Sequence, residues 1–189
     1  MLDAAKGNTC GLGFIEKYLV IDAQGIPFAD NTFDIVIANH MLYHVPNVSM
    51  ALSEISRVLK PEGIFYATTI GNNNFAELIE ILHDFDAEID FAQDSITKAF
   101  GLETGKELLD MCFNSVESKR YDDSLHITEA KPLVDYVLSL QGIGNISTII
   151  LGEKTGQFGR YIEKIFERGE CLDIKKDAGI FISGFPKKL

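Results

Sequence analysis

Short apolar runs, each closed by a polar segment, organise the first third of the chain. The runs at 18–21 and 33–38 are rich in β-branched residues and too short for helices, so we expect two buried parallel strands. In open α/β sheets, ligands bind outside the carboxyl ends of the strands. The candidate site residues are therefore those that follow the two runs: Asp22, Ala23 and Gln24, and then Asn39 and His40.

A helical spacing of apolar positions follows these strands. Residues 47–60 place one apolar stripe at intervals of three and four, which predicts a crossover helix with Asn47 as its N-cap. Pro61 and Gly63 are expected to end this helix before a further strand at 64–70. The pattern up to residue 70 therefore predicts strand, strand, helix, strand.

Helical periods predominate beyond residue 70. Thr104 and Glu107 have the spacing of a capping box, and Gly169 is expected to end a late helix. The run at 116–121 mixes apolar and charged residues, as exposed strands near a sheet edge do. We predict helices over about 75–85, from 104, over 128–140 and over 155–168, and strand-like runs at 172–175 and 179–185.

The predicted organisation is one domain over residues 1–189. Its parts are core strands and a crossover helix at 18–70, helical cap insertions at 75–112 and 129–168, and terminal antiparallel strands at 113–127 and 171–186. The two insertions are expected to cover the carboxyl edge of the sheet.

Composition and charge narrow the function classes. A chain of 189 residues with 46% hydrophobic content is long enough to bury one sizeable core. The net charge of −11 repels phosphate backbones, so we expect no nucleic-acid partner. No window approaches the roughly 20 apolar residues of a membrane span, and the first residues resemble no targeting peptide, so we expect a cytoplasmic protein without a membrane partner.

Cysteine and histidine positions indicate no metal site. Cys10, Cys112 and Cys171 are widely spaced and include no C-x-x-C pair, so we interpret them as reduced thiols. His40 and His44 lie four apart, but no acid stands between them as in H-E-x-x-H and no third ligand is near.

Residues 18–70 resemble class I S-adenosylmethionine-dependent methyltransferases, in particular the small-molecule group. The matching segments are Asp22-Ala23, Ile26-Pro27-Phe28, Phe33-Asp34 and Val58-Leu59-Lys60-Pro61-Glu62-Gly63, in this order. The resemblance implies an α/β fold with a Rossmann-like class I methyltransferase sheet, S-adenosylmethionine as cofactor and a small-molecule methyl acceptor.

The resemblance also implies roles for the candidate residues. Asp22 would accept a hydrogen bond from the adenine amino group, the Ala23 amide would meet a ring nitrogen, and Gln24 would flank the ring. Asn39 and His40 would line the methionine and acceptor end. Tyr43 and His44 are the candidates for catalysis, since a histidine of ordinary pKa can accept a proton near neutral pH.

The chain departs from the family pattern before residue 18. Gly7, Gly11 and Gly13 do not form the Gly-rich strand-to-helix turn that cradles the methionine part of the cofactor. Met1 to Lys6 instead resembles the start of the helix after the family's second strand. We therefore expect an N-terminally truncated sheet with a helical cap, arising either from an internal start within a longer protein or from a shortened gene.

A truncated sheet has a consequence for association. The family's strand order is 3-2-1-4-5-7-6, with 18–21 as the third strand and 33–38 as the fourth. Without strands 1 and 2, either 18–21 moves across to pair with 33–38, or a second chain supplies the pairing and forms a homodimer through the exposed sheet edge.

Two functions remain as alternatives from the sequence. One is a small-molecule methyltransferase using S-adenosylmethionine, inactive or nearly so as this chain alone because the Gly-rich loop and ribose-binding acid are missing. The other is a non-catalytic methyltransferase remnant that serves as a binding or assembly module. A nicotinamide-dependent dehydrogenase shares the sheet, but it needs a Gly-rich loop and does not explain the matching segments.

Overall fold

A mixed four-stranded sheet with helices around it forms from the described part of the chain. The computed structural model describes residues 2–9, 11, 13, 17–140, 144–152, 154–167 and 171–187. The strands are β1 (Phe33–Asn39), β2 (Leu59–Ile70), β3 (Phe113–Ile127) and β4 (Leu172–Pro186). The helices are α1 (Leu2–Asn8), α2 (Val48–Val58), α3 (Ala76–Phe85), α4 (Gln93–Phe100), α5 (Gly105–Cys112), α6 (Ala130–Ser139), α7 (Ile146–Ile150) and α8 (Thr155–Phe166).

The order of the strands is β1-β2-β4-β3. β1 and β2 are parallel, with Val36 opposite Phe65, whereas β4 runs antiparallel to both β2 and β3. In the family numbering this order is 4-5-7-6, so the Rossmann-like methyltransferase sheet that the resemblance implied is confirmed for these strands. β3 and β4 continue past Ile70, the last residue of β2, and thus extend beyond the carboxyl edge of the parallel pair.

Two hydrophobic clusters hold the helices in place. The first joins one face of the sheet, including Phe65 and Phe181, to apolar residues of α2, α4 and α5. The second lies against the extension of β3 and β4 and is built from α3, α6, α7 and α8 around Phe158 and Ile174. The helices of segment 75–112 are therefore divided, because α3 packs in the second cluster while α4 and α5 pack on the sheet.

Several predicted elements differ in the structure. The predicted strand at 18–21 is wrong: residues 17–22 have no regular secondary structure, and Val20 is 87% exposed. Apolar β-branched residues form a strand only where a neighbour pairs with their backbone groups, and no described strand pairs with this segment. The two predicted runs after residue 171 form one continuous strand, β4.

Helix ends follow the sequence in part. Asn47 caps α2 as predicted, with its side-chain oxygen accepting from the Met50 N–H at 3.0 Å. The capping box at Thr104 is wrong, because its hydroxyl instead accepts from the Gly101 N–H and donates to the Thr97 carbonyl. The prediction of a reduced thiol at Cys10 and that of a helix end at Gly169 concern residues outside the described part of the chain. No helix in the described ranges is long and apolar enough to cross a membrane.

Candidate functional site

A tight turn at Asp22 forms the first part of the candidate site. The Asp22 carboxylate accepts from the backbone N–H of Gln24 at 2.9 Å and from its side-chain amide at 3.2 Å. The Asp22 carbonyl also accepts from the Gly25 N–H at 3.1 Å. An Asp side chain that binds the backbone two residues on makes an Asx turn. The hydrogen bonds from Gln24 hold the pKa of the Asp22 carboxyl below its usual range, so the group is ionised at neutral pH.

The donor and acceptor pattern at this turn fits the edge of an adenine ring. Asp22 is exposed and ionised, and its carboxylate has lone pairs beyond those that Gln24 engages. In the described part of the chain, no hydrogen bond occupies the N–H of Ala23. An accepting carboxylate next to a free amide complements an amino group beside a ring nitrogen. These residues therefore fit the adenine end of the implied cofactor.

Gln24 anchors the turn to the N-terminus of α2. Its side-chain carbonyl accepts from the Asn47 N–H at 3.0 Å, while its amide group binds Asp22. The place of Gln24 beside the adenine ring stays a prediction; within the chain its side chain links the turn to the start of α2.

Two residues of α2 hold the segment that follows the turn. Arg57 donates to the carbonyls of Ile26 at 2.9 Å and Phe28 at 2.8 Å, and to the carboxylates of Asp30 and Glu54. Glu54 in turn accepts from the Ile26 N–H at 2.8 Å. A guanidinium is suited to this role because its planar fork supplies five donors. The segment from 22 to 30 is therefore fixed to α2 at both ends.

The carboxyl end of β1 forms the second part of the site. The His40 N–H donates to the carbonyl of Thr68 at 3.2 Å and to its hydroxyl at 3.1 Å. The backbone of His40 has φ +47°, in the left-handed region that residues other than glycine rarely adopt. Such conformations persist where the surrounding structure holds them, and they are enriched at functional sites.

Three rings cluster after this strand end. The ring of Tyr43 lies 6.4 Å from that of His40 and 4.5 Å from that of His44, in edge-on arrangements. Although His40 is exposed overall, partial burial of its ring lowers its pKa, so the imidazole is neutral at pH 7. Burial raises the pKa of Tyr43, so this phenol keeps its proton. The cluster thus offers neutral groups that can accept or donate a proton.

The structure links some candidate residues and leaves others apart. Asp22, Ala23 and Gln24 share one turn, and Asn39, His40, Tyr43 and His44 lie within one strand end and the 3₁₀ turn Leu42–His44. Gly7 lies in α1, and Gly11 and Gly13 lie in turns, so no described glycine before β1 follows a strand.

Among described residues, no group of three His, Cys, Asp or Glu side chains could hold a metal ion.

Sequence reasoning missed Thr68, Glu54 and Arg57. Thr68 supports the strand end at His40, and a polar residue late in the apolar run at 64–70 was the available signal. Arg57 and Glu54 stand on a helix face with ordinary charge spacing, which carries no information about a loop 30 residues away. Their role depends on tertiary contacts that the local pattern does not contain.

Comparison with known proteins supports the resemblance. Residues 1–67 match a family model described as a methyltransferase domain. Over 63 residues the chain is 44% identical to the ubiquinone/menaquinone biosynthesis C-methyltransferase UbiE of Desulfotalea psychrophila. The aligned segment covers 33% of this chain and 25% of that protein. Over 60 residues it is 37% identical to the mouse mitochondrial arginine-hydroxylase NDUFAF5, covering 32% of this chain and 18% of that protein. The matches thus span a quarter or less of these relatives.

A solved structure extends the likeness to the whole fold. A crystal structure of a proposed methyltransferase from Bacillus halodurans superposes with a TM-score of 0.60 at 16% identity, covering 98% of this chain and 79% of that chain. This likeness concerns the fold. With the domain match, it confirms the resemblance to class I S-adenosylmethionine-dependent methyltransferases, a family whose cofactor is S-adenosylmethionine.

Proposed function

We propose that this chain, whose fold and first 67 residues are similar to those of class I S-adenosylmethionine-dependent methyltransferases, carries the adenine-binding part of a small-molecule methyltransferase site. The observation that carries the proposal is the Ala23 amide, which no hydrogen bond within the described part of the chain occupies, beside the ionised Asp22 carboxylate, in the turn where the family resemblance places adenine. When bound, S-adenosylmethionine supplies a methyl group activated by its sulfonium charge. The chain's own contribution is to bind and orient.

The ring cluster after β1 supports a proton-handling role in the proposed reaction. A methyl acceptor of the hydroxyl or amine type loses a proton as it is methylated, and a neutral imidazole can accept it. His40 is neutral at pH 7, and His44 lies against the phenol of Tyr43. We assign the acceptor side of the proposed site to these residues and to Asn39.

An apolar slot beyond the carboxyl edge of the sheet supports a small-molecule acceptor. It lies between α3, α6 and the extension of β3 and β4, where Phe75 and Tyr136 meet edge-on at 6.0 Å. Small-molecule sites are concave and mostly apolar, with few polar groups. Its main lining residues are Phe75, Leu78, Leu125, Leu133, Tyr136 and Ile174.

Ligand-observed NMR with S-adenosylhomocysteine tests the proposal. Asp22, Ala23, Asn39 and His40 supply contacts at one side of a cleft, so we expect dissociation constants near millimolar and no appreciable turnover by this chain alone. Asp22→Asn should weaken binding about tenfold, because the acceptor loses its charge. The matched control is Asp94→Asn, which removes an equally exposed carboxylate from α4 and should change nothing.

Tight binding would contradict this expectation. Micromolar affinity that disappears in Asp22→Asn would mean that further contacts complete the site around the same turn. Binding that is unaffected by Asp22→Asn would place the ligand elsewhere and refute the assignment of the adenine end.

The second candidate function is a non-catalytic binding or assembly module. In the described part of the chain the sheet has four strands, and none lies before β1 to carry a cofactor loop. The matched segment also occurs in a protein named an arginine-hydroxylase, so the likeness alone does not determine a reaction. Absence of any saturation transfer to S-adenosylhomocysteine at millimolar concentration would favour this candidate.

A further inference from the structure

A cavity lies at the carboxyl end of β2, between α3, the start of α4 and the loop that joins β2 to α3. Its volume is about 620 Å³, within the usual range for small-molecule sites. Ligands of open α/β sheets bind outside the carboxyl ends of the strands, which is where this loop begins. We call it the acidic cavity and define it by Asn72, Ile79, Glu80, Asp90, Phe91 and Gln93.

The charge around the acidic cavity is of one sign. Between Glu77 and Asp94 the sequence places seven acidic residues and neither lysine nor arginine. None of the described lining residues is a lysine or an arginine, whereas a second polar cavity, on the extension of β3 and β4, includes Arg120, Lys175 and Lys176 beside its acids. A cleft lined by charges of one sign concentrates ions of the opposite sign. The acidic cavity is therefore suited to a cation.

Two carboxylates of the lining are available to a ligand. Asp94 also lines the cavity, but it pairs with Lys98 one turn along α4 at 3.3 Å. One oxygen of Asp90 accepts from the Ala92 N–H at 2.7 Å, as acids do near a helix N-terminus, and its second oxygen is left over. In the described part of the chain, no hydrogen bond or ion pair engages the carboxylate of Glu80. Glu80 and the second oxygen of Asp90 thus supply the free negative charge.

A buried amide indicates which kind of cation fits. Gln93 is 8% exposed, and its side-chain N–H donates to the Gly71 carbonyl at 2.8 Å. The oxygen of the same amide, Oε1, is buried and has no hydrogen-bond partner among the described residues. Buried acceptors without a partner are costly and therefore uncommon. An acceptor of this kind in the wall of an acidic cavity calls for a cation that also carries N–H donors.

The acidic cavity also has an apolar part and a fixed wall. Phe91 is 7% exposed and Ile79 is half-buried, and both line the cavity. Asn145 holds the backbone of Asp90 twice, accepting from its N–H at 2.7 Å and donating to its carbonyl at 3.1 Å. Small-molecule sites combine apolar walls with a few fixed polar groups in this way. A ligand with a small apolar body and one cationic end matches this arrangement.

We propose that the acidic cavity binds a small organic amine with an apolar body. Its ammonium charge lies against Glu80 and Asp90, and one of its N–H groups donates to Oε1 of Gln93. Because this oxygen is shielded from water, the amine reaches it by displacing the exposed side chain of Asn72, which makes no hydrogen bond within the described chain. The site shares no residue with the turn at Asp22, so it does not depend on the proposed cofactor.

Ligand-observed NMR of the purified chain with three probes of similar shape tests the proposal. Phenethylamine carries a charge and N–H donors, phenethyl alcohol carries a donor without a charge, and phenethyltrimethylammonium carries a charge without a donor. We expect phenethylamine to bind with a dissociation constant of about 1 mM and the other two to bind at least about tenfold more weakly. Raising the salt concentration from about 0.1 M to about 1 M should weaken amine binding about threefold, because salt screens exposed charges.

Two variants remove the free charges of the acidic cavity. Glu80→Gln and Asp90→Asn should each weaken phenethylamine binding about threefold and leave phenethyl alcohol binding unchanged. The asparagine at 90 can still accept from the Ala92 N–H, so the start of α4 is preserved. Asp84→Asn is the matched control, because it removes an exposed carboxylate from α3, one turn after Glu80 and outside the lining. Far-UV circular dichroism verifies that all three variants fold as the parent does.

The side-chain amide resonances of Gln93 report on the proposed hydrogen bond. They are assigned by their loss in Gln93→Met, and they should shift with phenethylamine but stay in place with phenethyltrimethylammonium. No saturation transfer to phenethylamine at about 10 mM overturns the proposal, and so do equal affinities for the amine and the alcohol. Full binding by the double variant Glu80→Gln/Asp90→Asn would place the amine elsewhere. Resonances of Gln93 that do not move as the amine saturates the chain would refute the bond to Oε1.

Discussion

The side chain of Gln24 accepts a hydrogen bond from the backbone N–H of Asn47 at 3.0 Å. This bond joins the turn at Asp22 to the residue that precedes the crossover helix α2. Asn47 is also the helix cap, with its own side chain bound to the Met50 N–H. The Gln24 side chain thus ties the proposed adenine-binding turn to the start of α2, in addition to the bonds that Arg57 and Glu54 make with the segment after the turn.

Replacement of Gln24 tests this connection. Gln24→Leu keeps the length of the side chain but removes its donors and acceptor, so the turn should lose its tie to α2. We expect a loss of about 0.5–1.5 kcal/mol in the free energy of unfolding, measured by urea titration, and weaker S-adenosylhomocysteine binding. Gln24→Glu can still accept from the Asn47 N–H, but it loses the amide that donates to Asp22 and places a like charge beside it, so it should keep the tie to α2 and still be less stable than the parent. Unchanged stability in Gln24→Leu would show that the turn holds its place without this bond.

The predictable features of this chain are those that neighbouring residues encode. β1, the cap at Asn47 and the helices over 75–85 and 128–140 follow from local apolar spacing and capping chemistry. The order of the strands followed from family resemblance and not from spacing. The bonds from Arg57 and Glu54 that fix the segment after the turn could not be foreseen, because they join residues that lie far apart in the sequence.

The failures share one cause. Residues 18–21 have the composition of a strand, but a strand needs a partner for its backbone groups, and that partner is not a property of the segment. Thr104 has the spacing of a capping residue, but it bonds to the preceding loop, where Thr97 and Gly101 compete for its hydroxyl. In both cases the partners that decide the structure lie outside the segment whose composition or spacing made the prediction.

The low pKa of His40 predicts a dependence of stability on pH. Its ordinary value in the unfolded chain is about 6.5, and burial lowers its value in the fold. Between the two values the unfolded chain binds more protons, so stability rises with pH. The contribution is complete above about pH 6.5 and is lost as pH falls through the folded-state pKa.

His40→Asn isolates this contribution, because asparagine tolerates the left-handed backbone at this position. Urea midpoints of the parent should fall between pH 7 and pH 5 by more than those of His40→Asn. His83→Gln, which removes an exposed histidine from α3, should behave as the parent does. Equal slopes for the parent and His40→Asn would mean that the imidazole is as well solvated in the fold as in the unfolded chain.

Replacement of glycine by alanine should raise the stability of the protein at one helical position and lower it at another. Alanine usually stabilises a helix by about 0.5–1 kcal/mol relative to glycine. At Gly159 in α8 an added Cβ meets nothing within 4 Å, so Gly159→Ala should raise stability by about that amount. At Gly105 in α5 the Cβ would lie 2.7 Å from the ring of Phe181, which is fully buried.

At Gly105 the cost of crowding the core should exceed the gain in helix propensity from alanine. Forcing an extra carbon into a filled core costs about 1–3 kcal/mol, so Gly105→Ala should lower the midpoint of thermal unfolding. The two variants share the same chemical change, but Gly105 is the first residue of α5 with the Phe181 ring close by, whereas Gly159 is interior to α8 with open space around it. A stabilised Gly105→Ala would show that Phe181 can move aside at little cost.

Thr68 and Thr69 are adjacent in β2, but their hydroxyls have different roles: that of Thr69 bonds in the core, and that of Thr68 bonds to the candidate site at His40. Thr69 is fully buried and donates to the Phe100 carbonyl at 2.5 Å, whereas Thr68 accepts from the His40 N–H on the other face. Thr69→Val keeps the shape but leaves a buried carbonyl unpaired, so we expect a loss of about 1–3 kcal/mol in urea titration. Thr68→Val should cost less than about 0.5 kcal/mol, because the Thr68 carbonyl still accepts from His40. Its effect should instead appear as a shift of the His40 amide resonance, which Thr69→Val leaves in place. The reverse pattern, with Thr68→Val the more destabilising change, would contradict the assignment of the two hydroxyls to separate faces.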